Sequence, residues 1–313
     1  MTVFPPAQGA RIPWESLPAS VREVIEGGLG ARVVEAVTQP GGFSPGVAAR
    51  LRLENGSRAF VKAVGSSPNP HSPGLHRREA KIAAALPPET PAPRLLFSHD
   101  DGDWVTLVFE DIPGREPSLP WRDDELRRVL AALADLSAAL TPAPLEAEPF
   151  SDRFREMLQG WGLLVDAGAQ DLDPWAQARL LELSALEADW GEAAAGETLV
   201  HSDVRADNVL LTADRVVFVD WPHASLGAPW LELLCFLPSV AMQGGPKPWE
   251  IFDVHPVSRG SPPEHVNAVL AALAGFFVYG GVQPPPPGLP TLREFQRAQG
   301  VEALAWLRRR LES

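Results

Sequence analysis

Asp203, Asn208 and Asp220 stand out in the segment Leu199 to Trp221, which reads LVHSDVRADNVLLTADRVVFVDW. Val209 to Leu211 and Val216 to Val219 are short apolar runs joined by the turn-prone Thr212-Ala213-Asp214-Arg215, a pattern that predicts an antiparallel hairpin. Counting back from the turn sets Asn208 opposite Asp220. A carboxylate and an amide oxygen side by side at the open end of a hairpin suit Mg2+, a hard cation that itself bridges phosphate oxygens. Asp203, on the loop leading into the hairpin, is placed to accept a proton from an incoming hydroxyl. The plainer alternative is two polar turns flanking a core hairpin.

A second set lies in the first third of the chain. Gly41-Gly42-Phe43-Ser44-Pro45-Gly46 follows the first expected strand, and three glycines let backbone N–H groups approach phosphate oxygens closely. The run has neither the Gly-Lys-Ser/Thr of a Walker loop nor a clean G-x-G-x-x-G. Lys62 sits inside the apolar run Ala59 to Val64, where an inward charge needs a partner. Glu79, on the helix that follows, is the natural one. The alternative for Lys62 is an edge strand with the ammonium facing water.

The elements that must carry these residues are legible from periodicity. Strands are expected at Arg32 to Val37, Val47 to Leu53, Arg58 to Val64 and Val105 to Phe109, with Asn55-Gly56 as a hairpin turn. One helix, Leu75 to Leu86, interrupts them and stops at Pro87-Pro88. After Pro113-Gly114 the pattern turns helical, at 122–140, 150–165, 173–190, 264–278 and 291–312. Ile112 to Gly114 is the expected hinge. The apolar stretch Ala268 to Val282 falls short of a membrane span and reads as a buried helix. Pro284 to Pro287 should stiffen a loop, and no internal repeat is found.

His201-x-Asp203-x-x-x-x-Asn208, followed by an apolar hairpin and Asp220, resembles the catalytic and metal-binding segment of kinase-fold small-molecule phosphotransferases, the aminoglycoside phosphotransferase and choline kinase kind. The resemblance implies an α+β, two-lobed protein-kinase-like fold: an N-terminal nucleotide-binding lobe of antiparallel sheet with one main helix (1–112), and a larger helical lobe (113–313) with the catalytic loop. It implies ATP and Mg2+, with the γ-phosphoryl group passing to a hydroxyl of a small molecule such as an aminoglycoside-like antibiotic, an amino alcohol or a sugar. Asp203 would orient or deprotonate the acceptor, Asn208 and Asp220 would hold magnesium, and His201 would brace the loop. Arg205 would steady the transferring group, with plain surface charge as the alternative. Gly41, Gly42, Ser44, Lys62 and Glu79 would clamp the phosphates, and the backbone of Glu110 and Ile112 would meet the adenine edge. Three departures stand out: Ser202 replaces a glycine frequent in small-molecule kinases of this kind, Trp221-Pro222 follows the metal aspartate where protein kinases have Phe-Gly, and Glu232 replaces the family's usual aspartate and is read as loop support.

Only about eight residues separate Asp220 from the apolar helix near Trp230, too few for the activation loop of a protein kinase. A small-molecule acceptor is therefore favoured over a protein kinase-like enzyme, and over a catalytically silent nucleotide-binding module because base and metal ligands are all present. Trp221, His223 and Asp253 are wall candidates for the acceptor pocket, with core or surface filler as the alternative.

Composition sets the remaining bounds. The 313 residues, 45% hydrophobic and 21% charged, suffice for a large core. A net charge of -13 argues against nucleic acid and anionic membranes as partners; it fits a cationic substrate or simple solvation equally. Cys235, the single cysteine, lies in an apolar run as a buried small hydrophobe, so no disulfide framework exists. Met1 to Trp14 lacks the features of a secretion signal, and a cytoplasmic protein is expected. Oligomeric state stays open.

Overall fold

The computed structural model describes residues 4–169 and 171–312. β1 (Val33–Thr38), β2 (Val47–Leu53), β3 (Arg58–Gly65), β4 (Leu95–Asp100) and β5 (Trp104–Glu110) form an antiparallel sheet in the order β1-β2-β3-β5-β4. The Asn55-Gly56 turn closes the β2–β3 hairpin, with Gly56 at φ +84° and the Leu53 N–H donating to the Ser57 carbonyl at 2.9 Å. Lys62 pairs with Ala48 on one side and Leu107 on the other, so it stands mid-sheet and not on an edge.

Two elements of this first part of the chain were not expected. α1 (Ala19–Leu29) packs Val21 and Ile25, together with Trp14 and Leu17, against one face of the sheet. Its Gly27-Gly28 pair obscures the apolar stripe in sequence, yet a Cβ at Gly28 would meet the Phe97 ring at 2.5 Å, so the close approach excludes a side chain. β4 is an edge strand whose Ser98 and Asp100 face solvent, which hid its apolar alternation. α2 (Ser72–Ala85) starts earlier than predicted because Pro73 fits the first helical turn.

Beyond β5 the chain is mainly helical, so the architecture is α+β as expected. α3 (Asp123–Ala139) is followed by α4 (Phe150–Arg153), α5 (Gly160–Asp166), α6 (Pro174–Ala178), α7 (Leu180–Glu187) and α8 (Trp190–Ala193). The two longer helices expected here are thus each broken in two. α5 resumes at Gly160, where a Cβ would lie 2.0 Å from the Gly275 carbonyl oxygen, so only glycine permits the approach. β6 (Thr198–Val200) pairs with β9 (Ser225–Gly227), and β7 (Val209–Leu211) with β8 (Val216–Phe218), as two antiparallel ribbons.

α9 (Leu231–Met242), α10 (Pro248–Phe252), α11 (Pro263–Val282) and α12 (Leu292–Glu312) complete the fold. α11 has 20 residues, longer than the apolar run suggested, and is long and apolar enough to cross a membrane by composition. However, 67% of its most apolar window is buried within the protein, the pattern of a core helix. One cluster joins Trp161, Leu199, Phe218, Phe236, Leu270 and Trp306 beneath the two ribbons. Each such side chain contributes about 1.5–3 kcal/mol on burial, which holds the ribbons against the helices.

Candidate active site

The β7–β8 ladder pairs Val209 with Phe218, and the Val219 N–H then donates to the Asn208 carbonyl at 3.0 Å. Asn208 therefore faces Val219, one residue short of the predicted partner Asp220. Asp220 itself leaves the strand at φ +71°, a left-handed conformation that costs a non-glycine residue about 1–2 kcal/mol. That turn aims its carboxylate at the sheet.

There Lys62 Nζ lies 2.7 Å from Asp220 Oδ1 and 2.7 and 2.9 Å from the two carboxylate oxygens of Glu79 on α2. Burial alone would lower the lysine pKa, but Asp220 and Glu79 outweigh it and raise the value, so the ammonium stays charged. One cation cannot fully compensate two buried carboxylates. Burial lifts the Glu79 carboxyl to about 7 despite Lys62. At Asp220 burial is outweighed by the Lys62 charge and hydrogen bond, and the pKa falls below the usual range.

Asp203 is held beside this group. Its Oδ1 accepts from Arg205, and Asn208 Nδ2 donates to its carbonyl at 2.8 Å and its Oδ2 at 3.2 Å. That leaves the Asn208 amide oxygen as the atom turned away from the loop. Arg205 also binds Asp207 at 2.8 Å, and its guanidinium lies against the paired rings of Phe43 and Phe295, at 5.3 and 6.0 Å. Burial opposes the charge, yet Asp203 and Asp207 raise the guanidinium pKa further, so it remains a cation.

The loop is braced from behind. Fully buried His201 places Nε2 2.9 Å from the Val219 carbonyl and accepts the Asp203 N–H on Nδ1 at 3.3 Å, which assigns the proton to Nε2. Ser202 sits at φ +69°, the conformation that explains why glycine is frequent there, and its hydroxyl meets Ser225 at 2.9 Å. Glu232 accepts the His201 and Ser202 N–H groups at 2.5 and 3.0 Å, supporting the loop.

Two cavities meet at Asp220. The first, about 120 Å3, is lined by Gly41, Gly42, Lys62, Glu79, Glu110, Ile112, Asn208 and Asp220. The second, about 300 Å3, holds Asp203, Arg205 and Ser44, and shares Glu79 and Asp220 with the first. Ser44 is thus set apart from Gly41 and Gly42. Of the three wall candidates His223 lines the second cavity; Trp221 lies under the first, its indole donating to the Phe218 carbonyl at 2.8 Å. Asp253 is exposed at the end of α10, outside both cavities, because that short helix turns it to solvent.

The glycine-loop donors are partly engaged already. Gly42 and Gly46 donate to the carbonyls of Ala7 and Ala10 at 3.0 and 3.1 Å. The same N-terminal segment brings Arg11 into the first cavity, a residue that sequence reasoning missed. Arg11 Nη2 donates to the Gly41 carbonyl at 2.5 Å, while its buried Nε lacks a partner among the described residues. Burial lowers its pKa, opposed by the charges of Asp220 and Asp207. Nothing in Gly9-Ala10-Arg11-Ile12-Pro13 signals this, since the segment has no periodicity. Arg50 was missed too; it braces the hinge by donating to the carbonyls of Ile112 and Gly114, both at 2.9 Å.

The donor set fits a magnesium ion. No group of three or more His, Cys, Asp or Glu forms a metal cage among the described residues. An amide oxygen plus one carboxylate is the sparse protein contribution Mg2+ accepts when substrate phosphates and water complete its shell.

Residues 25–256 match the sequence pattern of the phosphotransferase enzyme family, APH. No curated protein matches the sequence. Among solved structures, a thermostable mutant of aminoglycoside phosphotransferase APH(4)-Ia, in ternary complex with ADP and hygromycin B, shares 14% identity at TM-score 0.60. The match covers 93% of this chain and 98% of that one. A choline/ethanolamine kinase family protein from Mesorhizobium loti shares 17% identity at TM-score 0.56, covering 89% and 88%. Amicoumacin kinase hAmiN, in complex with AMP-PNP, Ca2+ and Ami, shares 10% identity at TM-score 0.58, covering 92% and 94%. At these identities the likeness shows the fold, which is the two-lobed protein-kinase-like one.

Proposed function

The chain belongs to the phosphotransferase enzyme family, and from that premise we propose that it moves the γ-phosphoryl group of ATP to a hydroxyl of a small molecule. The carrying observation is that Asp220 is shared by two cavities, with Lys62 at 2.7 Å on one side and Asp203 lining the other. Nucleotide phosphates would lie in the first, held by Lys62, by Arg11 and by the backbone around Gly41 and Gly42. The adenine edge would meet the chain at Glu110 and Ile112, and the lobes divide into 1–112 and 113–313.

Asn208 and Asp220 would hold Mg2+, which supplies charge neutralisation at the phosphate oxygens. Asp203 accepts the proton of the acceptor hydroxyl as the new O–P bond forms and the bond to the β-phosphate oxygen breaks. Arg205 keeps the Asp203 carboxylate oriented and its charge balanced while glutamate and lysine fix the other side. Most of the rate gain comes from positioning and charge stabilisation, as phosphoryl transfer demands little covalent chemistry of the protein.

The test is a melt with and without Mg2+ and AMP-PNP. Saturation at 100 times Kd adds about 2.7 kcal/mol of stability, a shift of several degrees. An unmoved Tm at millimolar nucleotide would refute the reading.

A further inference from the structure

The second cavity narrows the class of acceptor, an inference that rests on the phosphotransfer reading. Its carboxylates are already engaged: Asp203 by Arg205 and Asn208, and Asp220 and Glu79 by Lys62. Glu148, nearby, is paired with Arg78 at 3.0 Å. Against the three lining carboxylates, Asp203, Asp220 and Glu79, the cavity wall sets one cation, Arg205, itself paired with Asp203 and Asp207. Arg153 lies 2.9 Å from Nδ1 of His223, which makes that ring nitrogen an acceptor, and burial further favours the neutral imidazole. Every carboxylate in the lining thus already has a cationic partner, and none is left over for an ammonium.

What the cavity offers is apolar surface. Phe43, Phe154, Met157, Leu273, Phe277 and Phe295 line it, with Ser202, Gln296 and Gln299 as neutral hydrogen-bonding groups. Buried apolar area contributes about 25 cal/mol per Å2, whereas a buried unpaired ammonium is strongly disfavoured. At about 300 Å3 the space suits a compact molecule. We propose that the acceptor is a neutral alcohol with an apolar body, its hydroxyl directed at Asp203, and not a polycationic aminoglycoside-type compound. The alcohol proton passes to Asp203, the alcohol oxygen bonds to Pγ, and ADP leaves with the electron pair of the broken bond.

Octan-1-ol and 8-aminooctan-1-ol, equal in length and reacting group, are titrated calorimetrically into the protein saturated with Mg2+ and AMP-PNP. The neutral alcohol should bind at least about tenfold tighter with a negative heat-capacity change, and with ATP should appear as its phosphate monoester by mass spectrometry. Equal or tighter binding of the amino alcohol overturns the inference, as does failure of both to bind. Melting with Mg2+ and AMP-PNP reads the phosphotransfer premise separately: a missing shift removes both readings, while a shift with the wrong acceptor order removes only this one. Met157→Glu places a carboxylate at a position already 37% exposed, so folding is spared. It should narrow the preference about tenfold by pairing the ammonium, and an unmoved ratio overturns the siting of the acceptor.

Discussion

The two cavities that meet at Asp220 are held open by opposite means. On the proposed nucleotide side Lys62, Glu79, Asp220 and Arg11 form a mutually charged group, each with named partners at hydrogen-bond distance. On the proposed acceptor side phenylalanine and leucine walls enclose the larger space. The charged side is preorganised for one kind of ligand, since every buried charge must be answered in a particular place. The apolar side fixes shape and polarity without fixing identity, so on the proposed reading one nucleotide site would serve many acceptors while the opposite wall would select among them.

The sharpest break in this comparison comes at the junction. Asp203→Asn keeps the shape of the loop but removes the proton acceptor, and transfer should fall by about 10^3 or more, measured as product formed per enzyme by mass spectrometry. Calorimetric affinity for Mg2+ and AMP-PNP should stay within about twofold. If turnover were unchanged, Asp203 would have no part in the chemistry.

Lys62→Met tests the charged side alone. It leaves Glu79 and Asp220 buried without their shared cation, and urea unfolding at pH 8 should show a loss of about 3 kcal/mol. A loss below about 1 kcal/mol would mean that the ion pairs do not organise the site.

The same contrast governs what could be read from the chain. Lys62 was legible because a lysine in an apolar strand demands an answer, and Glu79 was the nearest one; the pair stands at 2.7 Å. Asp203, Asn208 and Asp220 were legible through spacing, but the register was off by one because the strand ladder continues through Val219 before Asp220 turns away at φ +71°. Phe154, Leu273 and Phe277 were not legible as a pocket wall, because an apolar side chain on a helix looks the same whether it faces core or cavity. Asp253, polar and conspicuous, lies outside both cavities, because spacing alone does not show that the end of α10 turns it to solvent. β4 and Arg11 were hidden differently, one by its solvent-facing alternate residues and the other by an irregular segment whose place is set by contacts distant in sequence, with Gly41, Gly42, Gly46 and Gly288.

Arg11 sharpens the comparison at smaller scale. Its Nε lacks a protein partner and its guanidinium faces Asp207 and Asp220, so a phosphate group would complete its hydrogen bonding. Arg11→Ala should weaken Mg2+–AMP-PNP binding about tenfold and leave the octan-1-ol to 8-aminooctan-1-ol preference unchanged. Binding of the nucleotide at parental affinity would assign Arg11 to holding the glycine loop alone.

The smallest effect is a pH dependence seated at Glu79. Its carboxyl is raised from 4.5 to about 7, so between those values the folded protein holds a proton that the unfolded chain has released. The contribution is complete below the lower value and is lost as pH rises through the upper one. Buried His76 works the other way: burial and then Lys62 lower it from 6.5 to about 4, which favours folding at higher pH. Asp220, held below its usual range, loses its contribution only in stronger acid and stays outside the window. The parent alone therefore mixes opposing slopes, but the difference between the parent and Glu79→Gln isolates the carboxyl. From pH 8 to pH 6 the parent should gain about 1 kcal/mol relative to the variant in urea unfolding. A difference that stayed flat, or ran in the opposite direction, would show that Lys62 shares its charge with the two carboxylates in some other way than the geometry implies.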